Sequence, residues 1–143
     1  MILPAISVPQ SGPGWASLIA SGRKTMETRT WYTRYRGPLV ICASAQPRVE
    51  GIPAGKALCV VMLSACRRMR RSDEQAACCD HYEGAYAWVF TKCWPIIPFS
   101  VKGKSGIFTL IVPEQAIIDP AAVEEIRATL ALVERAGCLQ QIR

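Results

Sequence analysis

Four stretches of this chain, residues 38–44, 57–66, 85–92 and 107–112, are apolar almost without a break and no longer than a strand. A strand covered on one side alternates apolar and polar residues, so continuous runs of this length indicate strands buried on both faces. Residues 2–8 read as a first strand, stopped by Pro9 and the turn Ser11-Gly12-Pro13-Gly14. Residues 25–31 read as a Thr-rich strand closing on Trp31. Alternation places Thr25, Glu27, Arg29 and Trp31 on one face of that strand, with Met26, Thr28 and Thr30 on the other.

Helices are few. Trp15, Leu18 and Ile19 share a face at helical spacing, and Gly22 can end that helix with positive φ. Ser72, with Gln75 three residues on, predicts a capped short helix reaching Asp80. Asp119 followed by Pro120 marks the start of a longer helix whose stripe is Val123, Ile126, Leu130 and Val133, ended by Gly137. Pro95 and Pro98 predict an edge or loop after residue 92. The pattern is that of an α+β domain built round a small barrel. Its 143 residues, half of them hydrophobic, suffice for one core.

No apolar run approaches the ~20 residues that span a bilayer. The first residues lack a signal peptide's basic and apolar regions, so a cytoplasmic protein is expected. Cys42, Cys59, Cys66, Cys78, Cys79, Cys93 and Cys138 are an odd set, several inside apolar runs, as in reduced proteins. None stands at zinc-hook spacing, and no metal or cofactor is expected; adjacent ligands such as Cys78-Cys79-Asp80-His81 seldom close a tetrahedral site. The net charge of +6 and pI near 9.1 favour an anionic partner.

Three clusters could meet such a partner. Gly22-Arg23-Lys24-Thr25-Met26-Glu27-Thr28-Arg29 joins cations and one carboxylate at a helix end, turn and strand start. Lys24 and Arg29 suit phosphate; Glu27 can accept from a base or carry a proton. The alternative is an ordinary ion pair. Trp31, Tyr32, Arg34 and Arg36 interleave rings with guanidinium groups, the mixture single-stranded nucleic acid uses, although Trp31 also suits a core. Lys102-Gly103-Lys104-Ser105-Gly106 resembles the end of a P-loop, but Pro98 stands where its first glycine belongs and a strand follows where a helix should, leaving a phosphate-touching loop or a plain turn. The arginine-rich run 67–71 reads as a solvated basic patch that could widen such a surface.

The chain resembles the ASCH family, on Trp15 through Trp31 with its Gly-x-Lys and Glu-x-Arg-x-Trp elements, on Tyr35 through Ser44, on Tyr86-Ala87-Trp88, and on the stretch from Pro98 to Phe108. The resemblance implies a PUA-like β-barrel over residues 1–112, with residues 113–143 as a helical extension packed on it. It implies a cleft with Lys24, Glu27 and Arg29, and the loop of Lys102, Lys104 and Ser105 opposite. It implies binding of RNA, another single-stranded nucleic acid or a modified nucleoside. Some members act as ribonucleases, as amidohydrolases on N4-acylated cytidine, or as coactivator modules. The amidohydrolases use Lys, Thr and Glu: Lys24 matches, Glu27 stands at the expected threonine position, and Asp73 or Glu74 fits the acid by position only. Three readings follow: a nucleic-acid or nucleoside binder, a hydrolase acting through Lys24 and Glu27, and a protein-interaction adaptor.

Overall fold

The computed structural model describes residues 1–137; Cys138, among the cysteines read above, lies outside them. In chain order the elements are β1 (Ile2–Val8), α1 (Trp15–Ala20), β2 (Met26–Arg29), β3 (Gly37–Ala43), β4 (Lys56–Arg68), α2 (Glu74–Ala77), β5 (Tyr86–Ser100), β6 (Phe108–Ile111) and α3 (Pro120–Arg135). Among the described residues the six strands form one sheet in the order β2-β5-β4-β3-β1-β6. The architecture is mixed α+β, as expected. The sheet is not closed: β2 and β6 are the two ends of the order.

β3 is buried at every position, which accounts for its unbroken apolar run. Leu39 and Ile41 join Ile6, Val61, Leu63 and Trp88 in a core that includes Ile19 of α1. Val40 and Cys42 turn to the opposite core, with Leu3, Val60, Trp94 and Ile126 of α3. The period-two geometry of a strand thus feeds two cores from one segment. Helix α3 starts as its sequence predicts: the Asp119 carboxylate accepts from the Ala121 amide at 3.0 Å, with Pro120 in the first turn.

Of the edge or loop expected after residue 92, the edge forms, and the expected second helix is corrected. β5 runs on through Pro95 and Pro98 to Ser100. Its partner β2 covers only Tyr86 to Val89, so the later residues have a largely open edge where a missing N–H breaks no ladder. The helix predicted from Ser72 to Asp80 is instead a 3-10 turn over Arg71–Asp73 followed by α2, which stops at Cys78 with φ +55°. Ser72 caps neither: Arg70 is the N-cap residue of the 3-10 turn, and the Asp73 carboxylate at its third position reaches back to accept from the Arg70 amide at 2.8 Å.

Candidate nucleic-acid interface

The segment between α1 and β2 is fixed from both sides. Gly22 takes φ +82°, and the next turn closes by a bond from the Lys24 amide to the Leu18 carbonyl. The Thr25 amide then donates to the Ala76 carbonyl, and the Thr25 carbonyl accepts from the Phe90 amide, so the chain is held between α2 and β5. Gln10 anchors the start of α1: its amide group accepts from the Ser17 N–H and donates to the Ser17 hydroxyl and the Pro53 carbonyl. Trp15 is thereby set beside Lys24.

This framework brings together three of the four charged residues of the first cluster and leaves Arg23 exposed. Lys24 is only 2% exposed and Glu27 6%. The Lys24 ammonium donates to the Ala77 carbonyl, stands 3.6 Å from Glu27 Oε1 and lies 5.1 Å from the centre of the Trp15 ring. Glu27 Oε1 also accepts from the Thr28 amide, and Oε2 faces an Arg29 Nη at 3.2 Å. That Arg29 nitrogen donates to the Ser7 carbonyl at 2.7 Å. One carboxylate therefore serves two cations away from water, where a charge without a partner would be costly. Taken alone, these three side chains carry one net positive charge.

The triad lines a cavity of about 360 Å³, within the range of small-ligand sites. Trp15, Pro9 and Tyr82 supply apolar walls; Thr28, Cys79 and Asp80 complete it. Strand alternation alone turns Thr28 away from Glu27. It borders the cavity because β2 is a four-residue edge strand and the chain after α2 wraps its open side, so that the Thr28 hydroxyl lies 3.7 Å from Cys79 Sγ. Lys24 also borders a second hollow of about 230 Å³ with Gly22, Thr25, Phe90 and Cys93.

The remaining predicted residues lie outside the triad's cavity. Trp31, 37% exposed, packs edge-on against buried Trp88, with ring centres 4.8 Å apart. Tyr32, 48% exposed, does the same on Tyr86. Arg34 is exposed. Arg36 is a brace: it donates to the carbonyls of Thr33 and Tyr35 and to the Tyr32 hydroxyl, and stacks over the Tyr32 ring. Lys102, Lys104 and Ser105 lie on an exposed loop. Lys104 and Ser105 border a separate hollow of about 250 Å³ with Ser7 and Ser44. A Cβ on Gly103 would come 2.6 Å from the Ser7 hydroxyl, so a side chain there would displace that hydroxyl. Ser7 borders this hollow and its carbonyl holds Arg29, which places the loop beside the cavity.

The run 67–71 is not a plain solvated patch. Arg67 makes a two-pronged bond to Asp73 at 2.7 and 2.9 Å, and Arg68 stacks on Tyr86. The Arg67 guanidinium holds the Asp73 carboxyl down at about 2, below the usual carboxylate range. Neither acid assigned by position enters the cavity: Asp73 is closed by Arg67, and Glu74 accepts from the His81 amide. Cys78 Sγ faces backbone carbonyls of Arg23 and Gln75, apart from Cys79 at the cavity. Sequence patterns could not reveal Cys79, Asp80 and Tyr82 as cavity residues, because they reach it only through the fold of α2 across β2.

The sequence model of the ASCH domain matches residues 12–100. No curated protein gives a significant match. Among solved structures, ASCH from Zymomonas mobilis aligns with a TM-score of 0.58 at 19% identity, over 76% of this chain and 87% of that one. A ZmASCH protein from the same organism, carrying a tyrosine-to-phenylalanine mutation, aligns at 0.51 and 15% identity, over 86% and 96%.

Proposed function

Because the chain belongs to the ASCH domain family, whose PUA-like fold is generally associated with nucleic-acid binding, we propose that the Lys24–Glu27–Arg29 cavity binds RNA or a modified nucleoside through one nucleotide unit. The observation that carries this reading is the buried Glu27 carboxylate shared by two cations beside the Trp15 ring. Glu27 accepts from the base edge, Trp15 and Tyr82 offer apolar surface to the base, and Arg29 faces a neighbouring phosphate. The loop of Lys102, Lys104 and Ser105 adds positive charge and a hydroxyl on the far side of Ser7. Trp31, Tyr32, Arg34 and Arg36 form the flank after β2. No metal or cofactor enters this reading.

The test is a titration of labelled single-stranded RNA with wild type, Lys24→Met and Arg29→Ala at two salt concentrations, with the mixtures then run on a denaturing gel. Methionine keeps most of the volume of the buried lysine. Wild type binds in a salt-sensitive way, because phosphate contacts release counterions. Both variants bind more weakly, and the RNA stays intact. Equal binding by all three proteins contradicts the proposal.

One observation favours a hydrolase as the second reading: Lys24, Glu27 and Thr28 line one cavity. There Lys24 would stabilise developing negative charge and Glu27 would move a proton. Cleavage of RNA, or deacylation of an N4-acylated cytidine, that disappears in Lys24→Met would establish it.

A further inference from the structure

The register across three neighbouring strands aligns Arg29 of β2 with Tyr86 of β5, and Tyr86 with Arg68 of β4. Residues directly opposite one another share a sheet face. The face that carries Arg29 at the cavity therefore continues through Tyr86 to Arg68. Tyr32 folds back over this row, its ring centre 5.8 Å from that of Tyr86. The Arg68 guanidinium lies 5.3 Å from the Tyr86 ring centre. A ring face orders a guanidinium without occupying its N–H donors, so less freedom is lost when a phosphate binds.

Arg34, Arg68, Arg70 and Arg71 are exposed, and none takes part in the ion pairs of the described residues. The nearby Asp73 is closed by Arg67. Arg36, by contrast, directs its donors at carbonyls and at Tyr32, and serves to brace the loop. What remains is a row that runs from Arg29 at the cavity through half-buried Tyr86 to exposed Arg68, with the exposed Tyr32 ring over it and exposed Arg34 two residues after Tyr32 in the chain.

We infer that this row is the path of a single-stranded polynucleotide leaving the cavity, with Arg34 and Arg68 on its phosphates and the exposed Tyr32 ring against an unpaired base. The inference rests on the cavity taking a nucleotide unit, and goes beyond it by making the ligand a strand instead of a free nucleoside. A duplex does not fit the row, because its bases are stacked away from side-chain rings.

The experiment compares wild type, Arg34→Gln/Arg68→Gln and Arg29→Ala by fluorescence anisotropy with a labelled single-stranded RNA of about twelve nucleotides, across about 0.05 to 0.3 M salt. Both glutamine substitutions are at exposed positions, and a thermal melt confirms that the fold is kept. Two lost phosphate contacts lower the slope of log affinity against log salt by about 1.4, and weaken binding about 25-fold at 0.1 M. If the double variant keeps the wild-type slope and affinity while Arg29→Ala weakens binding, the path is refuted and the cavity reading stands. If wild type does not bind the RNA at all, both fail.

Discussion

Asp73→Asn is the substitution whose effect follows most directly from the geometry. The Asp73 carboxylate accepts two bonds from Arg67 and one from the Arg70 amide, and its pKa falls from 3.8 to about 2. A carboxylate with a depressed folded-state pKa contributes stability that is fully present above its unfolded value and lost as pH falls through the folded value. The gap, at about 1.4 kcal/mol per pH unit, corresponds to about 2 kcal/mol at neutral pH. Arg67 is one-third exposed, so solvent screening brings the expectation down to about 1–2 kcal/mol. Urea denaturation of wild type and Asp73→Asn between pH 7 and pH 2 reads it. The difference is about 1–2 kcal/mol at pH 7, shrinks below about pH 5 and is mostly lost by pH 2. A difference that stays constant down to pH 2, or is absent at pH 7, refutes the argument. The same bond ties the end of β4 to the turn that leads into α2, and the chain after α2 supplies Cys79, Asp80 and Tyr82 to the cavity. Asp73→Asn therefore also weakens RNA binding, although Asp73 touches no ligand.

Three further outcomes are expected. Gly37→Ala destabilises the fold by about 2–4 kcal/mol in the same assay, because Gly37 has φ +147° and a Cβ there would lie 2.6 Å from the Tyr35 hydroxyl and 2.7 Å from Val133. Alkylation of the native protein by iodoacetamide, followed by mass spectrometry, labels Cys93 ahead of Cys59 and Cys42: a hydrogen bond from Cys59 lowers the Cys93 thiol, Cys59 itself is raised, and burial pushes Cys42 up to about 12. Glu27→Gln weakens the RNA complex while preserving cavity shape, since the amide cannot balance Lys24 and Arg29; titration with labelled RNA at fixed salt measures it.

The sequence made the local features legible and left the tertiary ones obscure, for identifiable reasons. Alternation along β2 was enough to put Glu27 and Arg29 on one face, and they do form an ion pair. The unbroken apolar run of β3 foretold burial on both sides, and Asp119-Pro120 foretold the start of α3. The role of Arg67 was hidden because its partner lies six residues on, beyond a turn whose geometry composition does not set. Pro95 and Pro98 pointed to an edge or a loop, and the edge is what forms, because β2 is too short to cover that part of β5. Whether the sheet closes depends on whether its two end strands meet, which no local pattern shows. Thr28 reached the cavity for a related reason: alternation fixes a strand's faces, and says nothing of what wraps round its edge.

The claim that one cavity takes a nucleotide unit is tested most directly by the indole N–H signals of the four tryptophans in a ¹⁵N-labelled sample titrated with single-stranded RNA. Trp15 borders the cavity and Trp31 lies on the flank after β2. Trp94 donates to Glu125 of α3 in the opposite core and serves as the internal control. The account predicts that the Trp15 signal moves most, Trp31 moves with it, and Trp94 stays fixed. A saturating shift at Trp94 with Trp15 unmoved would place binding on the α3 side and contradict the account.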